Sequence, residues 1–238
     1  TPFFQVCFSS SSAQSQRLCE LGAKRVVQTP SWKWLNAPLD YDLALYHQWS
    51  QALQGRCVWV AASIHNGEQD FVWQTHQHLL ALDPQALCLV VPRYLDMPWS
   101  YGGLESKALQ TLPSQQTSLY LLRALKALGL YYRLSPLSWI GGSLLSSKGG
   151  HNPIEAMQHQ CWPLCGPYFR HNEDPWLRLQ PRATHWDKPQ ALAQTIYDFN
   201  HTSREKKQAR EKILTDLCQQ TERDVYTVLK DTLDAMVV

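Results

Sequence analysis

The sequence lacks an excess of either charge. Lys and Arg total 22 against 20 for Asp and Glu, a formal charge of +2. That excludes a strongly basic nucleic-acid binder as the default reading. Long apolar runs are missing too. The longest, Cys57 to Ala62 and Ala86 to Val91, fall far short of the roughly 20 residues that cross a bilayer. There is no internal repeat, and the Ser9 to Ser12 run is short. Glycine is scarce, 11 residues against 14 prolines, and no glycine pair fits a Walker loop, a dinucleotide fingerprint or a serine-hydrolase elbow. The seven cysteines are odd in number and have no compact spacing, which points to a reducing compartment. Cys161 and Cys165 lie near His159 and His171 but lack a second cysteine pair, so zinc is not expected. An initiator Met is also absent: the chain opens Thr1-Pro2-Phe3, which reads as a cut in something larger.

What is present suits a folded core. Hydrophobic residues make up 44% of the 238, charged residues only 18%, and Trp occurs 10 times. A chain of this length forms one large domain or two small ones and buries about 70–75% of its unfolded surface. Apolar strands alternate with amphipathic helices along most of it. Strands are expected at 4–8, 57–62, 87–91, 119–122, 137–140 and 163–165. Helices are expected at 13–21, 41–53, 68–82, up to about 132, and 153–160, with three more at 189–200, 203–219 and 222–235. Residues 93–118, punctuated by Pro98, Gly102, Gly103 and Pro113, and the stretch after 165 carry no clear pattern. Alternation of this kind predicts an α/β fold, a Rossmann-like doubly wound parallel sheet with C-terminal helices. Ligands of such sheets sit outside the carboxyl ends of the strands.

Three loops therefore carry the chemistry. In Ala62-Ser63-Ile64-His65-Asn66-Gly67-Glu68, Asn66 is placed to cap the next helix with Gln69 as its partner. Ser63 and His65 either contact a ligand or satisfy the loop's own backbone. Val91-Pro92-Arg93 puts at a strand end a guanidinium suited to phosphate or carboxylate, or else a plain surface Arg. Gly141-Gly142-Ser143 and Gly149-Gly150-His151-Asn152-Pro153-Ile154-Glu155 form the third. Its glycines admit close approach of a ligand, Asn152 is the expected N-cap, Pro153 the first helical residue and Glu155 the capping partner. The amides at this helix start make a nucleotide-phosphate site plausible, and Glu155 could also accept hydrogen bonds from a ribose. His76 and His78, two apart on a helix, face different ways and make no metal pair. The basic helix from Arg204 to Lys212 is interrupted by Glu205 and Glu211. It reads as a solvated face, with a modest membrane-surface role left open.

Taken in order, these loops resemble the C-terminal half of the Kdo (3-deoxy-D-manno-octulosonic acid) transferases of lipopolysaccharide synthesis. The 62–68 loop stands where that family reads A-S-T-H-E-G-E, and Val91-Pro92-Arg93 where it reads V-P-R-H. Gly141-Gly142-Ser143-Leu144 and Gly149-Gly150-His151-Asn152-Pro153 with Glu155 match in full. Gly166-Pro167 with Asn172 fits G-P-H-x-x-N, and Leu21-Gly22-Ala23 with Trp32-Lys33-Trp34 fits the segment ending in G-N-L-K-F. The departures are Ile64, Asn66, Tyr94, Tyr168 and the stretch Leu122 to Leu128, which carries neither acid of the family's G-D-T-x-G-E-L.

The resemblance implies a GT-B glycosyltransferase whose C-terminal domain binds the donor CMP-Kdo, with no other cofactor and no metal. Residues 1–38 would be a remnant of the N-terminal acceptor domain and linker, 39–220 the Rossmann-like donor domain and 221–238 a C-terminal helix. Donor-binding residues would be Ser63, His65, Arg93, Gly142, Ser143, Gly150, His151, Asn152 and Glu155. No catalytic residue is assigned, because the family's general base, a Glu, belongs to the N-terminal domain. This chain alone is therefore expected to be inactive. The acceptor would be a lipid A precursor held by that missing domain. The place would be the cytoplasmic face of the bacterial inner membrane, with peripheral membrane contact and no nucleic acid partner. Two alternatives remain: a diverged, non-catalytic binding module docking partners on its aromatic surface, and a GT-B enzyme using another nucleotide sugar.

Overall fold

The computed structural model describes residues 4–106, 108–124, 126–179 and 186–237. Thr1, read as a cut, and Leu125, in the segment that lost its acids, lie outside the described residues. The chain begins with a small parallel unit of β1 (Cys7–Ser9), α1 (Ser12–Glu20) and β2 (Val26–Gln28). The Ser11 hydroxyl accepts the Gln14 amide at the start of α1, as expected of an N-cap serine. A 3-10 turn over Trp32–Leu35 leads to α2 (Leu43–Ala52), where the Asp42 carboxylate accepts the Leu45 amide at 2.9 Å.

The main sheet follows. Its strands are β3 (Val58–Ile64), β4 (Leu87–Pro92), β5 (Leu104–Ser106), β6 (Leu119–Leu122), β7 (Leu137–Ile140) and β8 (Trp162–Leu164). Among the described residues they are all parallel, in the order β5-β6-β4-β3-β7-β8. From β3 the chain adds β4, then edge strand β5, then β6 between those two, and returns to add β7 on the other side of β3, so the order reverses between β3 and β7. This is the expected α/β, Rossmann-like doubly wound fold. A sheet covered on both faces wants uninterrupted apolar strands, and β4 is buried along its whole length.

Helices α3 (Gln69–Leu82), α4 (Leu128–Leu134), α5 (Ile154–Gln158), α6 (Glu173–Leu179), α7 (Pro189–Asn200) and α8 (Arg204–Val237) complete the fold. Helix α3 packs on α7, α2 on α4, and α8 on α5 and the Trp32–Leu35 turn. The abundant tryptophan is mostly core: Trp34, Trp49, Trp59, Trp139, Trp162 and Trp176 are buried. The Trp49 ring lies 5.3 Å from each of Tyr120 and Tyr131, and its indole N–H donates to the Leu109 carbonyl. Aromatic side chains used this way bury large area in specific tilted contacts.

Four expectations need correction. The segments 203–219 and 222–235 form one helix, α8, and the boundary drawn at 220 falls inside it. No Gly or Pro interrupts it, and buried Thr221 and Val225 hold the middle against the body. A short edge strand, β5, sits in the unassigned 93–118 region, and α6 in the stretch after 165. Asn66 does not cap α3; its side chain accepts the Gln69 amide group, while Gln69 reaches back to the Gly67 N–H. Asn152 and Pro153 are each displaced from their expected roles: α5 begins at Ile154 with Pro153 at its N-cap, and Asn152, one residue earlier, accepts the Ile154 amide at 3.2 Å.

Candidate functional site

At the carboxyl ends of β3, β4 and β6 lies a cavity of about 440 Å³. Apolar residues such as Val91, Pro92 and Leu128 form much of its wall, with Ser63, Arg93 and Glu155 contributing polar groups. Asp40 and Lys126 add one charge of each sign. A mostly apolar pocket with a few converging polar groups is the usual form of a small-molecule site.

Each polar group is placed by backbone. The β3–β4 register slips between Ala62 and Ile64, and Ser63 takes a left-handed conformation, φ 56°. For a residue with a Cβ this costs roughly 1–2 kcal/mol, and it turns Ser63 toward the cavity. Gly141 lies so close beneath that a Cβ there would strike the Ser63 carbonyl. The Arg93 amide donates to the Ile64 carbonyl at 2.8 Å, fixing the end of β4 beside the end of β3. The Arg93 guanidinium lies over the Tyr94 ring, 6.0 Å from its centroid, and has no hydrogen bond or ion pair among the described residues. Glu155, the second residue of α5, accepts from the Asn152 amide group at 3.3 Å. Helix α5 has only five residues, and Asn152 takes one of its free amides. It offers an anion less than the motif suggests.

Beside the cavity, at the strand-order reversal, the loops after β3 and β7 are joined by Glu68. This side chain is fully buried. One carboxylate oxygen accepts the amides of His65 and Gly142 at 3.0 and 2.7 Å, and the other accepts Leu144 at 3.2 Å. Burial raises its pKa, against the opposing pull of these amides and that of Ser143. Every partner is a donor, so the ionised carboxylate fits the site.

Glu68 thereby brings two histidines together. His65 Nε2 and His151 Nε2 are 2.7 Å apart, in rings inclined by only 6°. At that separation one nitrogen donates and the other accepts, so the pair shares a proton in its neutral form. Burial lowers the pKa of His65, helped by Lys148 and Arg93. Burial also lowers that of His151 to about 4, with His65, Arg93, Lys33 and His171 adding to it. Gly142, at φ +72°, makes room, since a Cβ there would press on the His151 ring. Gly150, at φ +74°, passes against the Tyr168 carbonyl and the Phe169 backbone in the same way. Below it, Asn172 donates to the Gly150 carbonyl and accepts from Lys33 Nζ at 2.7 Å.

The nine residues singled out in the sequence thus occupy one set of neighbouring loops in different places. Ser63, Arg93 and Glu155 line the cavity, and Asn152 holds Glu155. His65, His151, Gly142 and Gly150 form the adjoining wall. The Ser143 hydroxyl is buried and committed, donating to the Ile140 carbonyl at 2.7 Å and accepting the Gly166 amide at 2.9 Å. Its role in this structure is to join the ends of β7 and β8. Sequence reasoning missed Glu68, Lys33 and Lys126 as parts of the site. Cys161 and Cys165 are buried. Burial pushes the Cys161 thiol up to about 12 and raises Cys165 as well, so neither is poised as a thiolate.

No family model matches the chain. Over 123 residues it is 36% identical to a 3-deoxy-D-manno-octulosonic acid transferase of Haemophilus influenzae, a match covering 48% of this chain and 29% of that protein. The described fold superposes on the C-terminal CMP-Kdo binding domain of WaaA from Acinetobacter baumannii with a TM-score of 0.60. The identity there is 20%, over 76% of this chain and 98% of that one. It also superposes on Anabaena HepE in complex with UDP, with a TM-score of 0.59 at 10% identity, over 99% of this chain and 64% of that one. The chain thus spans well under half the length of the curated relatives it matches. In sequence it is related to the Kdo transferases, and in fold it is similar to the CMP-Kdo binding domain of WaaA, in agreement with the resemblance carried by its loops.

Proposed function

We propose that this chain is the donor-binding part of a glycosyltransferase that transfers Kdo from CMP-Kdo to a lipid A precursor. The observation that carries the reading is the cavity at the carboxyl ends of β3 and β4, where Arg93, Ser63 and Glu155 converge. Similarity to Kdo transferases supports it independently. The nucleotide occupies the cavity, with Arg93 on its single phosphate and Glu155 accepting from the ribose hydroxyls. Elsewhere in the complete enzyme, a carboxylate outside this chain takes the proton of an acceptor hydroxyl, which attacks the anomeric carbon as CMP leaves with the bonding pair. The part played here is positioning and stabilising charge that develops on the leaving phosphate. Among the described residues no helix is long and apolar enough to cross a membrane. The proposed place is the cytoplasmic face of the bacterial inner membrane, with peripheral membrane contact.

Calorimetric titration with CMP, UMP and UDP tests the reading. CMP is expected to bind in preference to the other two. Arg93→Ala and Glu155→Ala should each weaken CMP roughly tenfold, the worth of one charge-assisted hydrogen bond. Preference for UDP would replace the donor with another nucleotide sugar. Absence of all nucleotide binding would leave a non-catalytic module.

A further inference from the structure

The wall beside the cavity is strongly cationic and is not used by the nucleotide. Lys33, Arg93, Lys148 and His171 all bear electrostatically on the His65–His151 pair. Lys33, on the Trp32–Leu35 turn, is anchored by Asn172, which also donates to the Gly150 carbonyl next to His151. Lys148 directly precedes Gly149, where a Cβ would strike the His171 ring. The side chains of Arg93 and Lys148 are exposed and have no ion-pair partner among the described residues. The nearby carboxylate of Glu68 is sealed beneath, with both oxygens occupied by amides. A basin with this much unmatched positive charge and two imidazoles at its floor is built to receive an anion.

We propose that the basin formed by Lys33, Lys148 and the His65–His151 pair, adjoining Arg93, holds the carboxylate of the donor sugar. This deepens the donor reading above and rests on it. The chemistry of the sugar connects the two sites. In an octulosonic acid the carboxylate is carried by the anomeric carbon, the same atom that bears the nucleotide's phosphate. The two anions must therefore sit within a few bonds of each other. Arg93 lines the cavity and packs over Tyr94, whose ring lies 5.7 Å from that of His65, so it stands where phosphate and carboxylate meet. A donor carrying a neutral hexose has nothing to place in the basin, which makes it a determinant of specificity for acidic sugars.

The test titrates the 238-residue chain with free Kdo, Kdo methyl ester and inorganic phosphate, following the imidazole resonances of His65 and His151 by NMR. Kdo is expected to shift both histidines, while the ester, which has lost its negative charge, leaves them in place. Lys33→Gln combined with Lys148→Gln should weaken Kdo roughly tenfold or more and leave CMP affinity within about twofold. Both lysines are exposed, and an unchanged melting temperature confirms that the double variant is folded. The proposal is overturned if CMP binds but Kdo does not, if ester and acid bind alike, or if the double variant binds Kdo normally. Inorganic phosphate binding as tightly as Kdo would mark a phosphate site and overturn it too. Kdo binding without CMP binding would sustain the basin while removing the nucleotide from the cavity.

Discussion

Glu68→Leu is expected to destabilise the protein by about 3–5 kcal/mol, the largest effect of any single substitution near the site. The carboxylate satisfies three amides at hydrogen-bond distance, those of His65, Gly142 and Leu144. Each buried N–H left without a partner costs roughly 1–3 kcal/mol. Some of this is returned, because the raised pKa of Glu68 shows that burying its charge is itself unfavourable. The return is partial: removing one member of a buried charged network strands the others. Glu68→Gln separates shape from charge. Its carbonyl oxygen can keep the two amides shared by one carboxylate oxygen, while its NH2 group confronts the Leu144 amide, for a loss of about 1–2 kcal/mol. Urea unfolding measures both, against a total stability of about 5–15 kcal/mol for a domain. A Glu68→Leu protein within 1 kcal/mol of the parent would show that the two loops hold each other without it. If the account is right, the folded fraction of that variant should also lose the His65–His151 contact, visible as an upward shift of both imidazole pKa values.

Why Glu68 escaped notice in the sequence is a matter of distance. Its partners Gly142 and Leu144 lie 74 and 76 residues away, and nothing local announces that two loops meet. Locally it reads as an acid at a helix start. Lys33 was hidden similarly, since its partner Asn172 is 139 residues away. The strands were legible for the opposite reason. A strand covered on both faces must be apolar throughout, so 87–91 and 119–122 announce themselves in four or five letters. Edge strand β5, Leu104-Glu105-Ser106, has no such constraint and carries one apolar residue. Ser63, Arg93 and Glu155 could be found because the ends of parallel strands are where such folds bind ligands. Which hydroxyl turns outward could not, and Ser143 turns inward onto Ile140 and Gly166. In α8 the polar run Gln219-Gln220-Thr221 suggested a break, yet without Gly or Pro the hydrogen-bond ladder continues through it.

Acid should destabilise the protein well before its carboxylates are exhausted, through His76. This side chain is fully buried on α3, with its Nδ1 accepting from the Trp59 indole N–H at 3.4 Å. Burial lowers its pKa to about 4, the Ser118 carbonyl opposing and Arg56 assisting. A folded pKa below the unfolded value of about 6.5 means that the neutral form is favoured by folding. The stability this contributes is complete above pH 6.5 and is lost as pH falls toward 4. From a shift of this size, His76 alone should remove about 2.4 kcal/mol between pH 7 and pH 4.5. His151, also lowered to about 4 but only partly buried, adds a smaller, screened amount in the same window. Glu68 works the other way. Its raised pKa means that protonation relieves a buried charge, so acid does not remove stability through it. Urea midpoints measured at pH 7, 5.5 and 4.5 should therefore fall steadily, with net proton uptake on unfolding. In His76→Leu the fall should be shallower by about one proton, whatever that variant's stability at pH 7. An equal slope in parent and variant would remove His76 from the account. A stability unchanged from pH 7 to 4.5 would mean that the buried imidazoles take up protons as readily in the folded protein as in the unfolded one.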